Sequence, residues 1–167
     1  AHGGEAPASP PAVRRTAGFL APDSDYNLFR SRVPLQATAV GLRESLTWKY
    51  FQDGPKDKPP LICLAGASGT AACFYKLMLY LCPKGYHIIA VTWPEYTTHE
   101  DWIVGFGLFL DALRLGKVHI LGLSLGGLLA QLYVQYRPSR VGLLVLCNSF
   151  ADTDAFSGHP PALGMYR

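Results

Sequence analysis

Two kinds of apolar period take turns along this chain. Leu61-Ile62-Cys63-Leu64 is a continuous apolar run, and Ile88-Ile89-Ala90-Val91 forms another within residues 86–93. Such continuous runs predict strands buried on both faces, as in a parallel sheet. Residues 118–123 and 141–146 are two further strands. Between them, apolar residues recur at helical spacing. Phe74, Leu77, Met78 and Leu81 stand at i, i+3, i+4 and i+7, and Pro83 with Gly85 ends that helix. Trp102, Phe106, Phe109, Leu110 and Leu113 share one face of the next. Thr97 and Glu100 open it with capping-box spacing, and Gly116 stops it. A third helix covers residues 128–136 and stops at Pro138.

Ahead of these lie two short runs with β-branched and aromatic residues, 33–40 and 46–51, closed by Gly41 and by Asp53-Gly54-Pro55. They predict an antiparallel pair at a sheet edge. The expected order is two edge strands, then β-α-β-α-β-α-β. That alternation gives an α/β fold: a mostly parallel sheet, right-handed crossovers, and helices on both faces. Ligands in such sheets sit at the carboxyl ends of the strands. The loops after Leu64, Leu123 and Leu146 are therefore the places for chemistry.

Composition narrows the picture. The 167 residues make one domain of ordinary size, with 49% hydrophobic residues to fill a core. Only 16% are charged, which suits a heavily buried sheet or a piece of a larger domain. The net charge of +3 comes without a dense Lys/Arg cluster, so neither nucleic acid nor an anionic membrane is implied as a partner. No apolar run approaches the roughly 18 residues of a membrane span. The cysteines Cys63, Cys73, Cys82 and Cys147 show no C-x-x-C spacing and no histidine at zinc-ligand spacing. Buried free thiols, a reducing cytoplasmic compartment, and no metal or cofactor are expected. Composition shifts near Asp23. Residues 1–22 read as a disordered Ala/Pro-rich tail, 23–156 as the domain, and 157–167 as an irregular tail. The arginines and scarce acids of the first segment are also the composition of a transit peptide.

The densest motif is Gly122-Leu123-Ser124-Leu125-Gly126, followed by Gly127. An apolar strand precedes it and an amphipathic helix follows, the setting a nucleophile elbow requires. Small neighbours let strand and helix approach closely enough for Ser124 to sit on a sharp, strained turn. Its hydroxyl would then stand at a helix N-terminus, where free N–H groups favour a developing anion. Acyl transfer needs two N–H donors for the oxyanion. Leu125, the residue after the nucleophile, would supply one and Ala67, in the loop after Leu64, the other. That loop reads equally as a plain glycine-bearing turn.

A base is harder to find. A serine hydroxyl is weakly nucleophilic until a histidine takes its proton and an acid orients that histidine. After Ser124 the only histidine is His159, in His159-Pro160-Pro161, which reads as a surface residue. His119 begins the strand into the elbow and reads as structural. Asp152, after the last strand, is the candidate acid; the same run, Asp152-Thr153-Asp154, also reads as a turn and helix cap.

Four stretches resemble the maspardin family within the α/β-hydrolase superfamily. They are Asp25-Tyr26-Asn27-Leu28-Phe29-Arg30, Ala67-Ser68-Gly69-Thr70-Ala71, Gly122 through Gln131, and Leu146-Cys147-Asn148-Ser149-Phe150-Ala151-Asp152-Thr153. The first and last are not general hydrolase motifs. The resemblance implies an α/β-hydrolase fold lacking its C-terminal strands and cap, where the later acid and histidine would lie. It implies a cytoplasmic, partly endosome-associated protein with a binding or regulatory role, an adaptor in membrane-protein sorting whose partner is another protein. The alternative is a serine hydrolase of an ester or thioester, with Ser124 as nucleophile and no activity without its base.

Overall fold

A computed structural model describes residues 24–41, 46–152 and 154. The segments expected as tails, 1–22 and 157–167, and His159 lie outside the described residues. The chain runs α1 (Asp25–Arg32), β1 (Gln36–Val40), β2 (Leu46–Asp53), β3 (Leu61–Leu64), α2 (Tyr75–Leu81), β4 (Ile88–Thr92), α3 (His99–Ala112), β5 (Val118–Leu123), α4 (Leu125–Tyr136) and β6 (Val141–Cys147). The strands form one sheet in the order β1-β2-β4-β3-β5-β6. β1 pairs antiparallel with β2, and β2 with β4; the remaining pairings are parallel.

Each face of the sheet carries its own core because neighbouring residues of a strand point to opposite sides. Ile62, Leu64, Ile89 and Val91 meet Trp102, Phe106 and Phe109 of α3 and Leu129 and Tyr133 of α4. Cys63, Ile88 and Ala90 meet Phe29 of α1 and Phe74 and Met78 around α2. Trp48 is fully buried and stacks on Phe109, 4.9 Å between centroids. An aromatic of that size anchors the β2–α3 contact.

Several expectations are corrected. Residues 25–32 form a helix that the apolar pattern did not predict. The first strand begins at Gln36 rather than at residue 33. The antiparallel pair β1–β2 lies at one end of the sheet as expected, with β1 outermost and β2 between β1 and β4. Thr98, not Thr97, caps α3: its hydroxyl accepts from the Asp101 N–H at 3.1 Å. That helix stops before Gly116, with Arg114 taking a left-handed φ of 55°. β6, expected as the last strand, forms the other edge of the described sheet, with Leu143 55% and Leu146 43% exposed, because β5 alone among the described strands pairs with it. The free cysteines Cys63 and Cys82 are buried and Cys147 half-buried, whereas Cys73 is exposed. Among the described residues no helix is long and apolar enough to cross a membrane, and no side-chain cluster could hold a metal.

Candidate active site at the turn after β5

β5 and α4 are joined by a single residue, Ser124, with φ 49° and ψ −118°. A residue with a Cβ holds that conformation only where its surroundings impose it. The glycines supply the room. A Cβ on Gly122 would lie 2.5 Å from the Gly127 Cα, and one on Gly126 would lie 2.3 Å from the Ala65 carbonyl oxygen. Strand, helix and the loop after β3 thus touch through backbone.

Hydrogen bonds clamp the turn from both sides. The Ser124 N–H donates to the Cys147 carbonyl at 3.0 Å, and the Gly127 and Leu128 N–H groups donate to the Ser124 carbonyl at 2.9 and 3.2 Å. The Ser149 hydroxyl donates to that same carbonyl at 3.0 Å. Gln131 of α4 in turn donates to the Phe150 carbonyl at 3.0 Å and to the Gly127 carbonyl at 3.2 Å. Two of the family-like stretches, around Ser124 and around Ser149, therefore meet at one brace. Sequence reading missed the roles of Ser149 and Gln131; their place in a shared motif was the available signal.

The two expected oxyanion donors flank the serine. Leu125 is the first residue of α4, so its N–H has no intrahelical acceptor. Ala67 lies in a turn closed by the Gly69 N–H on the Gly66 carbonyl at 3.0 Å. A Cβ on Gly66 would stand 3.4 Å from the Ser124 Cβ, so this loop runs directly beside the serine. Ala67 and Leu125 both border a cleft of about 1420 Å³. Asp152 borders it too, exposed, with its carboxylate accepting from the Asp154 N–H at 3.1 Å. That bond is the turn-forming contact of an Asx motif.

No histidine among the described residues hydrogen-bonds the Ser124 hydroxyl. His119 is the second residue of β5, about 16 Å of extended chain before the serine. Its Nδ1 is buried without a partner. His87 sits just ahead of β4, near the Gln52 amide at 2.8 Å, and burial pulls its pKa down. His99 opens α3 and borders the cleft, with Nε2 2.9 Å from the Glu100 carboxylate. Sequence reasoning used Glu100 only as a cap and overlooked His99.

Aromatic side chains wall the rest of the cleft. Trp93, Tyr96 and Trp102 border it, with Trp93 edge-on to Trp102 at 5.9 Å. The Tyr96 hydroxyl accepts from the Trp48 indole N–H at 3.0 Å, and burial raises the phenol's pKa.

A family model described as the alpha/beta hydrolase fold matches residues 59–163. Maspardin from Rattus norvegicus is 43% identical over 143 residues, covering 84% of this chain and 55% of that protein. A probable hydrolytic enzyme from Pseudomonas aeruginosa superposes with a TM-score of 0.66 at 22% identity, over 76% of this chain and 45% of that one. Naproxen esterase from Bacillus subtilis gives 0.59 at 26%, over 72% and 46%. The chain spans about half the length of the curated relatives it matches.

Proposed function

The chain belongs to the α/β-hydrolase family and is maspardin-like within it, and on that premise we propose that it acts as a binding or regulatory protein. In this reading it is a cytoplasmic, endosome-associated adaptor for another protein, in the sorting of membrane proteins. The observation that supports this reading is the 43% identity to maspardin over 84% of the chain, with Ser124 and Ser149 of the family-like stretches braced on one another at the elbow. The elbow then serves as architecture, tying β5, β6 and α4 together beneath a cleft that holds a ligand without turning it over.

A specific observation favours a second reading, a serine hydrolase of an ester or thioester. Ser124 keeps a strained backbone, and Leu125 and Ala67 border the cleft beside it. The strained turn presents the hydroxyl, and flanking N–H groups are the parts that stabilise an oxyanion. Asp152 would be the acid in that reading. Naproxen esterase, similar in structure, bears an esterase name.

A fluorophosphonate probe separates the two. With the protein and its Ser124→Ala variant side by side, equal background labelling is expected. Strong labelling that disappears in the variant would overturn the adaptor reading.

A further inference from the structure

The loops that lead into β3, β4, β5 and β6 meet at one end of the sheet. Leu61 is in register with Ile88 and His119, and Val118 with Val141, so these strands start level. Each loop brings exposed cations. Lys56 and Lys58 precede β3, Lys84 precedes β4, Arg114 and Lys117 precede β5, and Arg137 precedes β6. Neighbouring strands lie about 4.8 Å apart, so the four starts fall within roughly 15 Å. Hydrogen bonds join the loops into one surface. Arg140 donates to the Leu115 and Gly116 carbonyls at 2.8 and 3.0 Å and pairs with Asp111 at 2.9 Å, which brings Arg137 beside Arg114 and Lys117. The His119 N–H donates to the Pro60 carbonyl at 2.9 Å, and the Leu61 N–H to the His87 carbonyl at 2.8 Å, which ties in the other two loops. The carboxylates Asp53 and Asp57 lie here too, too few to cancel the cations.

The cleft at the other end of the strands has the opposite sign. Glu95, Glu100, Asp152 and Asp154 border it, and no Lys or Arg does. A formal net charge of +3 hides this polarity. So does the sequence, where these cations are spread over residues 56–140 without a dense cluster. The fold gathers them, and a surface of one sign attracts a partner of the other.

Three exposed tyrosines share the cationic end. Tyr80 closes α2 and is 54% exposed, Tyr86 precedes β4 at 55%, and Tyr136 ends α4 at 52%. Tyrosines interleaved with cations are the composition of a surface at lipid-headgroup level, where the ring meets the interface and the hydroxyl stays wet. Stacking on nucleobases needs free ring faces, and one face of Tyr80 is covered by the Lys84 ammonium at 3.6 Å from the centroid. Most of the exposed cations are lysines, the residue depleted at protein–protein interfaces.

We propose that this end of the sheet docks on an anionic phospholipid bilayer. The lysines and arginines lie over the headgroup charges, the tyrosines enter the interface, and the cleft opens on the side away from the membrane. This docking deepens the endosome-associated reading and rests on it only for the location.

Flotation of the chain with vesicles tests it, using phosphatidylcholine alone and phosphatidylcholine with about 30% phosphatidylserine. The anionic vesicles are expected to be bound at low salt and the neutral ones not, and binding should fall as salt is raised. Each cation near such a surface contributes roughly fivefold in affinity, so Lys56→Gln/Lys117→Gln is expected to weaken binding about twentyfold. Lys49→Gln/Lys76→Gln makes the same change of charge near the other end, where Lys49 pairs with Thr92 and Lys76 opens α2 after β3. That variant is expected to bind within about twofold of wild type. Neutral vesicles bound as well as anionic ones, or equal losses in the two double variants, overturn the proposal. Tighter binding of single-stranded oligothymidine than of anionic vesicles assigns the face to nucleic acid and also overturns it. A chain that ignores the vesicles yet co-fractionates with endosomes overturns this docking and leaves the endosome-associated reading in place; a chain that does neither overturns both.

Discussion

Ser124 and His87 show how single residues store free energy in this chain. Ser124 holds a backbone conformation that costs about 1–3 kcal/mol, recovered from the contacts that fix it. His87 is 4% exposed, and burial disfavours its charged form, so its pKa lies below the ordinary 6.5. In the unfolded chain nothing opposes protonation. As pH falls, the unfolded state therefore takes up the proton first. This contribution to stability is full above about pH 6.5 and is lost as pH falls through the depressed folded value. Urea midpoints measured between pH 7.5 and 5.5 should decline on the acid side, with a shallower decline in His87→Gln. A midpoint independent of pH, or equal slopes in both proteins, contradicts this. The serine was legible because Gly-x-Ser-x-Gly falls at the strand-to-helix junction. Its brace was not. Ser149 reaches a carbonyl 25 residues away and Gln131 one 19 away, and such contacts leave no periodic trace in sequence.

At the scale of elements, the errors cluster at helix boundaries. Both Thr97 and Thr98 precede α3, and spacing to Glu100 favoured the first. The hydroxyl that caps is that of Thr98, which accepts from the Asp101 N–H and donates to the Asp101 carboxylate at 2.9 Å. Thr98→Ala is expected to cost about 1 kcal/mol of stability and Thr97→Ala close to none. Thermal melts of the two variants decide it, and equal losses would restore the capping box. Arg114, rather than a glycine, takes the left-handed position after α3, so punctuation by Gly116 misplaced the end. Helix α1 escaped because only Phe29 on it is buried, and one buried residue makes no period. It was visible only through the family-like stretch on which it lies.

The architecture of the whole molecule was the most readable level. The runs β3 and β4 appear as unbroken apolar stretches, and helical periods between the strands force parallel pairing. The exposure of β6 was not legible, because its neighbours and not its own apolar composition determine it. The cleft was not legible. Its wall joins the loop after β4, the start of α4 and the loop after β6, segments that only the sheet order brings together. Trp93, Glu95, Tyr96, Glu100 and Trp102 lie close together in sequence, but Asp152 and Asp154 join them only across the folded sheet. The central claim is that this elbow organises a binding site and does not drive hydrolysis. Steady-state hydrolysis of p-nitrophenyl butyrate by the chain and by Ser124→Ala tests it most directly. The two rates are expected to agree within about twofold, since an unassisted serine adds little over background. A Ser124-dependent rate about a hundredfold or more above the variant, some 2.7 kcal/mol of transition-state stabilisation, would contradict it.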